Sequence, residues 1–323
     1  MSIESQVKLG LKQYAETLQY PDKLDAAIGA LITEGSQSSQ RRIVLLARRP
    51  LLRIAIVAVS LFVFTGAAYA SGWLYSLYSG SVSMQTAASA QLDLPEDIRA
   101  AVRSSWDEVR SGLQPGESAW VYNRQLADRK LPGVILITNP EAYPSLADWK
   151  QHVKSKYTAI KVPAMLPEGF VFTRGEMQSP ISGTLDVEAG EQARKALEKK
   201  AIAGGQGMAW QHAAVAVPEQ PGLLYSNDRG AQIELRYHLL PVEDKELHVE
   251  LQRGGSAAAE KVSVWGHAAY FVSESSSLLS ETGQMKDLSW LEQESGRTII
   301  YTLSSASPDV SKADLLLIAE HME

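Results

Sequence analysis

The chain contains no cysteine. That absence excludes disulfide bridges, thiolate zinc sites, cysteine catalysis and a lipid-modified N-terminal cysteine. Basic residues are scarce in the larger part, because residues 54–323 hold 23 Lys and Arg against 32 Asp and Glu. This acidic balance argues against nucleic acid as a direct partner of that part. Apolar residues are plentiful, and at 45% of 323 residues they exclude a wholly disordered chain.

Charged residues are also missing from one long stretch, since none occurs between Arg53 and Asp93. Its first half is rich in Ile, Val, Leu and Phe, which favour insertion at a bilayer centre. A helix from Ile54 to Tyr75 would be about 33 Å long, close to the hydrocarbon thickness of about 30 Å. We therefore predict one transmembrane helix over residues 54–75, with the lipid bilayer as a partner.

The residues that flank this segment predict its orientation. Trp73, Tyr75 and Tyr78 lie at its C-terminal edge, as an interfacial aromatic belt would. By the positive-inside rule, arginines on the other side place residues 1–53 in the cytoplasm and residues 76–323 outside the cell membrane. These arginines are Arg41, Arg42, Arg48, Arg49 and Arg53.

Two other interpretations of the apolar segment stay open. Ala68-Tyr69-Ala70 resembles a signal-peptidase site, although more than 50 residues precede the apolar run and a cleavable signal has only a short basic region there. A buried core helix would also be apolar all round, although a soluble protein rarely follows five arginines with a long uncharged stretch.

The predicted cytoplasmic tail, residues 1–53, contains two short amphipathic helices separated at Pro21. Apolar residues recur at spacings of three and four and so form one stripe on each helix. Two helices of this size bury too little surface to be stable alone, so we predict that they bind a cytoplasmic partner. The alternative is that they pair weakly or lie on the inner leaflet. The predicted partner-binding residues are Ile3, Val7, Leu11, Tyr14, Leu18, Leu24, Ile28 and Leu31.

Outside the membrane, we predict a stalk and juxtamembrane helix over residues 76–114 and an extracytoplasmic domain over residues 115–323. The helix spans Pro95–Gly112, and short β-branched runs bounded by Pro and Gly follow it. Further helices are predicted to start at Ser145, at Val187 and at Ser311. The helix at Val187 has few apolar anchors, so we expect it to pack lightly on the outside. The predicted fold class is α+β: a twisted antiparallel sheet with a few packed helices, preceded by one transmembrane helix and a short helical tail.

Strict alternation of apolar and polar residues marks two strands, over residues 232–239 and 246–252. This pattern predicts one buried and one solvated face for each strand. Turn residues at hairpin spacing predict that both strands belong to one antiparallel meander, which residues 262–272, 288–293 and 298–303 continue.

Three stretches resemble a known family. They are Val162–Phe170, the pattern Val262-x-Val264-x-Gly266-x-x-Ala269, and the ending from Leu288 to Glu320. They look like an extracytoplasmic domain of unknown function that recurs in membrane proteins of spore-forming Gram-positive bacteria. The resemblance covers about residues 115–323. With a tail such as Tyr20–Asp25 and one membrane span, the layout is similar to that of anti-sigma-factor-like regulators, and it implies no catalytic residues.

Several residue groups could carry chemistry, but each has a structural interpretation that we favour. Strand aromatics could line a ligand cavity, although ordinary core packing is the commoner role. Four histidines could form a metal site only if their strands were adjacent. The serine-rich run of residues 273–280 is predicted to be a surface loop. The aromatics are Trp210, Tyr225, Tyr237, Trp265, Tyr270, Trp290 and Tyr301, and the histidines are His212, His238, His248 and His267.

From these patterns we expect no catalytic, cofactor-binding or metal-binding residues. The favoured function is a membrane-anchored, anti-sigma-factor-like regulator that binds a sigma factor or another cytoplasmic protein through residues 1–40 and senses a signal outside. The alternative is a membrane-tethered envelope protein whose outer domain binds a lipid or a glycan without a regulatory tail. An external hydrolase has no motif behind it.

Overall fold

The computed structural model describes residues 72–79, 82–157, 160–182, 187–214, 217, 219–241, 247–294 and 297–323. All of them belong to the second of the two units into which the chain divides, residues 54–323. Within these ranges the chain is mostly β-strand, arranged in three sheets.

The largest sheet has eight strands, and every neighbouring pair is antiparallel. Its central strands are long and rich in β-branched and aromatic residues, which favour extended backbone. From edge to edge the order is β12 (Ala258–Val264), β13 (His267–Glu274), β14 (Met285–Glu294), β15 (Arg297–Ser305), β10 (Gln232–Pro241), β9 (Gly222–Ser226), β6 (Val171–Glu176) and β5 (Ala142–Tyr143).

A four-stranded antiparallel sheet lies between two helices. Its order is β7 (Ile181–Ser182), β4 (Val134–Thr138), β3 (Ser118–Asn123) and β8 (Met208–His212). Successive side chains of a strand point to opposite faces, so β3 contributes Val121 to a core with helix α1 (Glu96–Ser111) and Trp120 to a core with helix α4 (Val187–Ala203). Both faces of this sheet are therefore buried.

The third sheet contains β1 (Gly72–Ser79), β2 (Val82–Ser89) and β11 (Leu247–Gly254). β1 and β2 form an antiparallel hairpin, and β11 pairs in parallel with β2. Apolar side chains of these strands, among them Leu77 and Met84, pack against Leu291 and Ile300 of the eight-stranded sheet. The two sheets thus form a sandwich over part of the larger one.

Three further helices complete the fold, and each begins at a polar capping residue. Asn123 caps α2 (Arg124–Ala127), Ser145 caps α3 (Leu146–Lys156), and Ser311 forms a capping box with Asp314 at α5 (Lys312–Ala319). α3 and α5 contribute apolar residues to the main core on one face of the eight-stranded sheet. The predicted start positions of α3 and α5 are confirmed.

The predicted fold class is wrong. Instead of one sheet with packed helices the structure has three sheets, and strands outnumber helices. Residues 72–75, the predicted end of the transmembrane helix, belong to β1, so the predicted end of that helix is also wrong. Within the described ranges, no helix combines the length and the apolarity that crossing a membrane requires. Residues 54–71 and the predicted tail helices lie outside those ranges.

Three other expectations need correction. Residues 76–79 and 82–89 do not form a stalk but belong to the β1–β2 hairpin, in which Leu77, Val82 and Met84 pack against the eight-stranded sheet. β11 does not continue the meander but pairs with β2 in another sheet. Helix α4 packs closely through Ala193, Leu197 and Ala201, small and apolar residues that let it approach the four-stranded sheet.

Candidate functional site

The two faces of the eight-stranded sheet differ in chemistry. One face carries the aromatic core, whereas the other carries polar side chains in two adjacent rows that run across the strands. We call these residues the polar stripe. The strand register aligns the first row as Ser289, Thr302, Arg236, Gly222 and Glu176, and the second as Asp287, Ser304, Glu234, Leu224 and Arg174.

Arg236 is the centre of one ion-pair network in the stripe. Its guanidinium donates to the carboxylates of Glu176 and Glu234 and to the carbonyl oxygens of Gln178 (2.8 Å) and Gln220 (3.2 Å). Arg174 donates to the other carboxylate oxygen of Glu176 at 2.8 Å. The two arginines balance the two glutamates, so the network satisfies its own charges.

Glycine is required next to this arginine. A Cβ atom at position 222 would lie 2.7 Å from Nη1 of Arg236, closer than side-chain contacts allow. Gly222 of β9 is paired with Arg236 in the register, so the missing side chain leaves the space that the guanidinium occupies.

Burial and charge together determine protonation here. Burial alone would raise the pKa of Glu176, but Arg236 and Arg174 outweigh it and hold that pKa below its ordinary value. His238, two residues along β10, is buried, and desolvation followed by the charge of Arg236 lowers its pKa to about 3. His238 is therefore neutral at physiological pH.

A second network joins the stripe to the three-stranded sheet. Arg253 of β11 forms an ion pair with Asp287 of β14 at 2.7 Å, and both side chains are more than 90% buried. Ser304 donates to the other oxygen of Asp287 at 2.5 Å. Tyr75 of β1 stacks on Tyr270 of β13 with ring centroids 4.2 Å apart. The N-terminal hairpin and its partner strand are thus bound to the large sheet by polar and aromatic contacts.

A small cleft of about 20 Å³ lies beside this second network, lined by residues that include Leu92, Arg253, Glu274 and Ser276. That volume is sufficient for about one water molecule. It is too small for a metabolite, so the sheet interface is a contact between structural layers rather than a substrate pocket.

The serine-rich run is not a surface loop. Ser277 and Ser280 are buried, and Arg103 of α1 donates to the carbonyl oxygens of Ser280 (2.5 Å) and Glu281 (3.2 Å). Leu278 packs into the core around α1. The residues of this run are therefore part of the contact between α1 and the eight-stranded sheet.

The strand aromatics do not line a ligand cavity. Tyr225, Tyr237, Trp290 and Tyr301 are buried in the main core, with the last two rings stacked 4.9 Å apart. Tyr270 is covered by Tyr75 of the hairpin, and Trp210 packs edge-on against His212. Trp265 differs, because 43% of it is exposed at a hairpin turn.

The four histidines lie on strands of three different sheets. Among the residues that the structure describes, no group of three or more His, Asp and Glu could hold a metal ion. His238 is buried inside the sheet, while His212 lies on the edge strand of another sheet. The side chain of His248 lies outside the described set, and so do the eight predicted partner-binding residues of the tail.

Sequence reasoning missed the polar stripe. The only local signal is that acidic and basic residues alternate with apolar ones on β10, and this pattern usually marks a solvated face. Comparison of the chain with protein-family models, with curated proteins and with solved structures finds no match.

Proposed function

We propose that the chain is a membrane-anchored, anti-sigma-factor-like regulator: residues 54–71 hold it in the membrane, residues 1–53 bind a cytoplasmic transcription factor, and the β-rich unit lies outside and senses. The observation that carries this proposal is the apolar sequence of residues 54–71, which contains no charged residue and immediately precedes β1 at Gly72. The uncharged stretch then continues through β1 and β2 as far as Leu92.

The charge distribution supports the anchoring and its direction. Residues 54–71 contain no charged side chain, and five arginines lie within the thirteen residues from Arg41 to Arg53. In a membrane protein such arginines remain on the cytoplasmic side. The tail with its two apolar stripes would then face the cytoplasm, where transcription factors are found.

The packing of β1 supports a sensing role. Tyr75 lies three residues after the start of β1 and is 5% exposed, with its ring stacked on Tyr270. β1 pairs with β2, β2 pairs with β11, and Arg253 of β11 pairs with Asp287 in the large sheet. A change of state in the outer unit would therefore be transmitted towards the anchor through ordered strands. A flexible stalk would not transmit such a change.

A topology experiment tests the anchoring. Reporters that are active only in the cytoplasm or only outside it are fused to the N-terminus and the C-terminus of the full chain. We expect cytoplasmic activity at residue 1 and external activity at residue 323. External activity at both ends, or release of the full chain into the soluble fraction without detergent, would contradict the proposal.

A capture experiment tests the partner. The full chain is purified in detergent from a Gram-positive host, and co-purifying proteins are compared with those of Leu11→Asp, which places a charge on the apolar stripe. Gln13→Asp adds the same charge off the stripe and is the matched control. We expect a sigma factor with the wild type and the control and at least a tenfold loss with Leu11→Asp. If no sigma factor co-purifies with the wild type, the envelope-protein alternative is favoured.

A further inference from the structure

An exposed tryptophan occupies an unusual position in the hairpin between β12 and β13. Val264 pairs with His267, which leaves Trp265 and Gly266 as a two-residue turn with φ angles of +51° and +80°. Two positive φ angles define the type I′ turn, for which Asn-Gly is the preferred sequence. A bulky aromatic residue rarely adopts this conformation, so the turn itself does not account for the indole.

The indole is held in place by two contacts. Its Nε1 donates to the carbonyl oxygen of Glu320 at 2.8 Å, and the ammonium of Lys161 lies 4.3 Å from the ring centroid. Lys161 is fixed in turn by an ion pair with Glu292 at 2.6 Å. Glu292 also accepts a hydrogen bond from the core residue Trp290 at 2.9 Å. The exposed ring is therefore rigidly connected to the core.

Exposed residues adjoin the contacts of the indole in the chain. Ala164 donates its N–H to the carbonyl oxygen of His321 at 2.7 Å, so the segment with the exposed residue Met165 pairs with the C-terminal residues next to Glu320. Glu320 and His321 are exposed as well. We call Trp265, Lys161, Met165, Glu320 and His321 the Trp265 platform.

The strand register places the platform at the end of the sheet away from Gly72, the first residue of β1. Gly72 is aligned across β2 with Arg253, and the next residue, Gly254, donates to Glu274 at the last position of β13. Trp265 lies two residues before His267, the first residue of β13. The eight residues of β13, at about 3.3 Å each, separate the two ends by about 25 Å.

We propose that the Trp265 platform binds a saccharide, with a pyranose ring stacked on the indole. An aromatic face carries negative charge density and attracts the weakly positive C–H groups on the apolar face of a sugar. Lys161 covers one face of the indole, while 43% of the residue remains exposed for a ligand. Lys161, Glu320 and His321 supply donors and acceptors for sugar hydroxyls at the rim. Its separation from Gly72, the residue that directly follows the apolar residues 54–71 in the chain, favours a sugar over a lipid surface.

This inference deepens the proposed function by naming the chemical class of the external signal, and it relies on that function only for the direction in which the platform faces. Binding of a sugar in solution requires neither the tail nor its partner. The capture experiment can therefore fail while sugar binding succeeds, and the reverse also holds.

The test uses the full chain in a detergent without a sugar headgroup, because alkyl glycosides would compete. Saturation-transfer NMR and calorimetry measure binding of tetra-N-acetylchitotetraose and maltotetraose. Trp265→Asn removes the indole and installs the preferred residue of the turn, so the hairpin is retained. Tyr78→Ser removes a more exposed aromatic side chain elsewhere and is the control.

We expect at least one of the two sugars to bind the wild type and Tyr78→Ser equally, and to bind Trp265→Asn at least tenfold more weakly with an unchanged melting temperature. Binding of neither sugar to the wild type would overturn the proposal. Equal binding by Trp265→Asn would do so too, and so would an indole-dependent affinity for phosphatidylglycerol vesicles in place of either sugar.

Discussion

The two faces of the eight-stranded sheet are formed by the same strands, but their buried residues differ in chemistry. On one face, Trp290, Tyr301 and Tyr237 pack as rings against α3 and α5. On the other, Arg236 and Asp287 are also buried, but each is paired with an opposite charge. The comparison teaches that a polar face is not necessarily a wet face when a second layer covers it.

The energetics of the two faces differ accordingly. Removing an aromatic ring from the first loses transfer free energy and leaves a cavity. A buried ion pair adds little net stability when it is intact, but removing one partner leaves an uncompensated charge. We therefore expect the polar stripe to contribute more to the specific packing of the layers than to the free energy of unfolding.

The aromatic face gives the largest expected effect. Trp290 is fully buried and stacked on Tyr301, so Trp290→Ala should lower the free energy of unfolding by about 4 kcal/mol. Urea denaturation followed by circular dichroism measures the change. Ile202→Ala removes a side chain that is 62% exposed and should change stability by less than about 0.5 kcal/mol. Similar losses for both variants would contradict the assignment of the core.

Removing Arg236, the centre of one network in the polar stripe, should lower the free energy of unfolding slightly less than Trp290→Ala does. Arg236→Met leaves Glu176 and Glu234 without their buried cation, and we expect a loss of about 3 kcal/mol. Adding Glu176→Gln should recover part of it, because the unpaired charge is then removed. Arg174→Met is the control, since Arg174 contacts the same carboxylate from a position 43% exposed. If the double variant were no more stable than Arg236→Met, the unpaired charge of Glu176 would not be the cause of the lost stability.

The pH dependence of stability is a further test of the polar face of the eight-stranded sheet, where His238 is buried. The pKa of His238 falls to about 3 in the folded chain, so between about pH 6 and pH 4 the unfolded chain binds a proton that the folded chain does not. Stability should therefore decrease as the pH falls, by about 1.4 kcal/mol per pH unit from this residue. The lowered pKa of Glu176 acts in the same direction at lower pH. His238→Gln should flatten the decrease over pH 6 to 4, and an unchanged slope would contradict the burial of a neutral imidazole.

The smallest effect is expected for an exposed ion pair. Lys312 contacts Glu260 at 2.6 Å, but the two side chains are 36% and 60% exposed. Lys312→Met should lower the free energy of unfolding by about 0.5 kcal/mol in low salt and by less in 0.5 M NaCl. If Lys312→Met lowered the free energy of unfolding as much as Arg236→Met, burial would not explain the difference between exposed and buried ion pairs.

Local sequence signals predicted many elements but not how the sheets are assembled. Ser145 and Ser311 mark helix starts because capping depends on residues only three positions apart. The helix from Glu96 to Ser111 follows from its apolar period in the same way. Such patterns are complete within one element, so the sequence is sufficient to place them.

The partner of a strand depends on distant residues, and here the predictions failed. β11 alternates as a meander strand would, yet it pairs with β2, which lies more than 150 residues earlier. Residues 72–79 lack charge as a membrane segment does, yet they form a strand whose side chains Tyr75 and Leu77 pack into a core shared with the eight-stranded sheet. Arg236 and His238 were predicted to be solvated, since alternation alone does not reveal that both side chains are buried.

The parallel pairing of β2 with β11 also determines when the three-stranded sheet can form during synthesis of the chain. The ribosome delivers residues 82–89 long before residues 247–254, so the first hairpin has no third strand while most of the chain is still being made. Closing so long a loop is entropically costly and slow. The earliest part of the unit to be synthesised is thus among the last to reach its native neighbours, and a chain that stops before residue 247 keeps this hairpin unfinished.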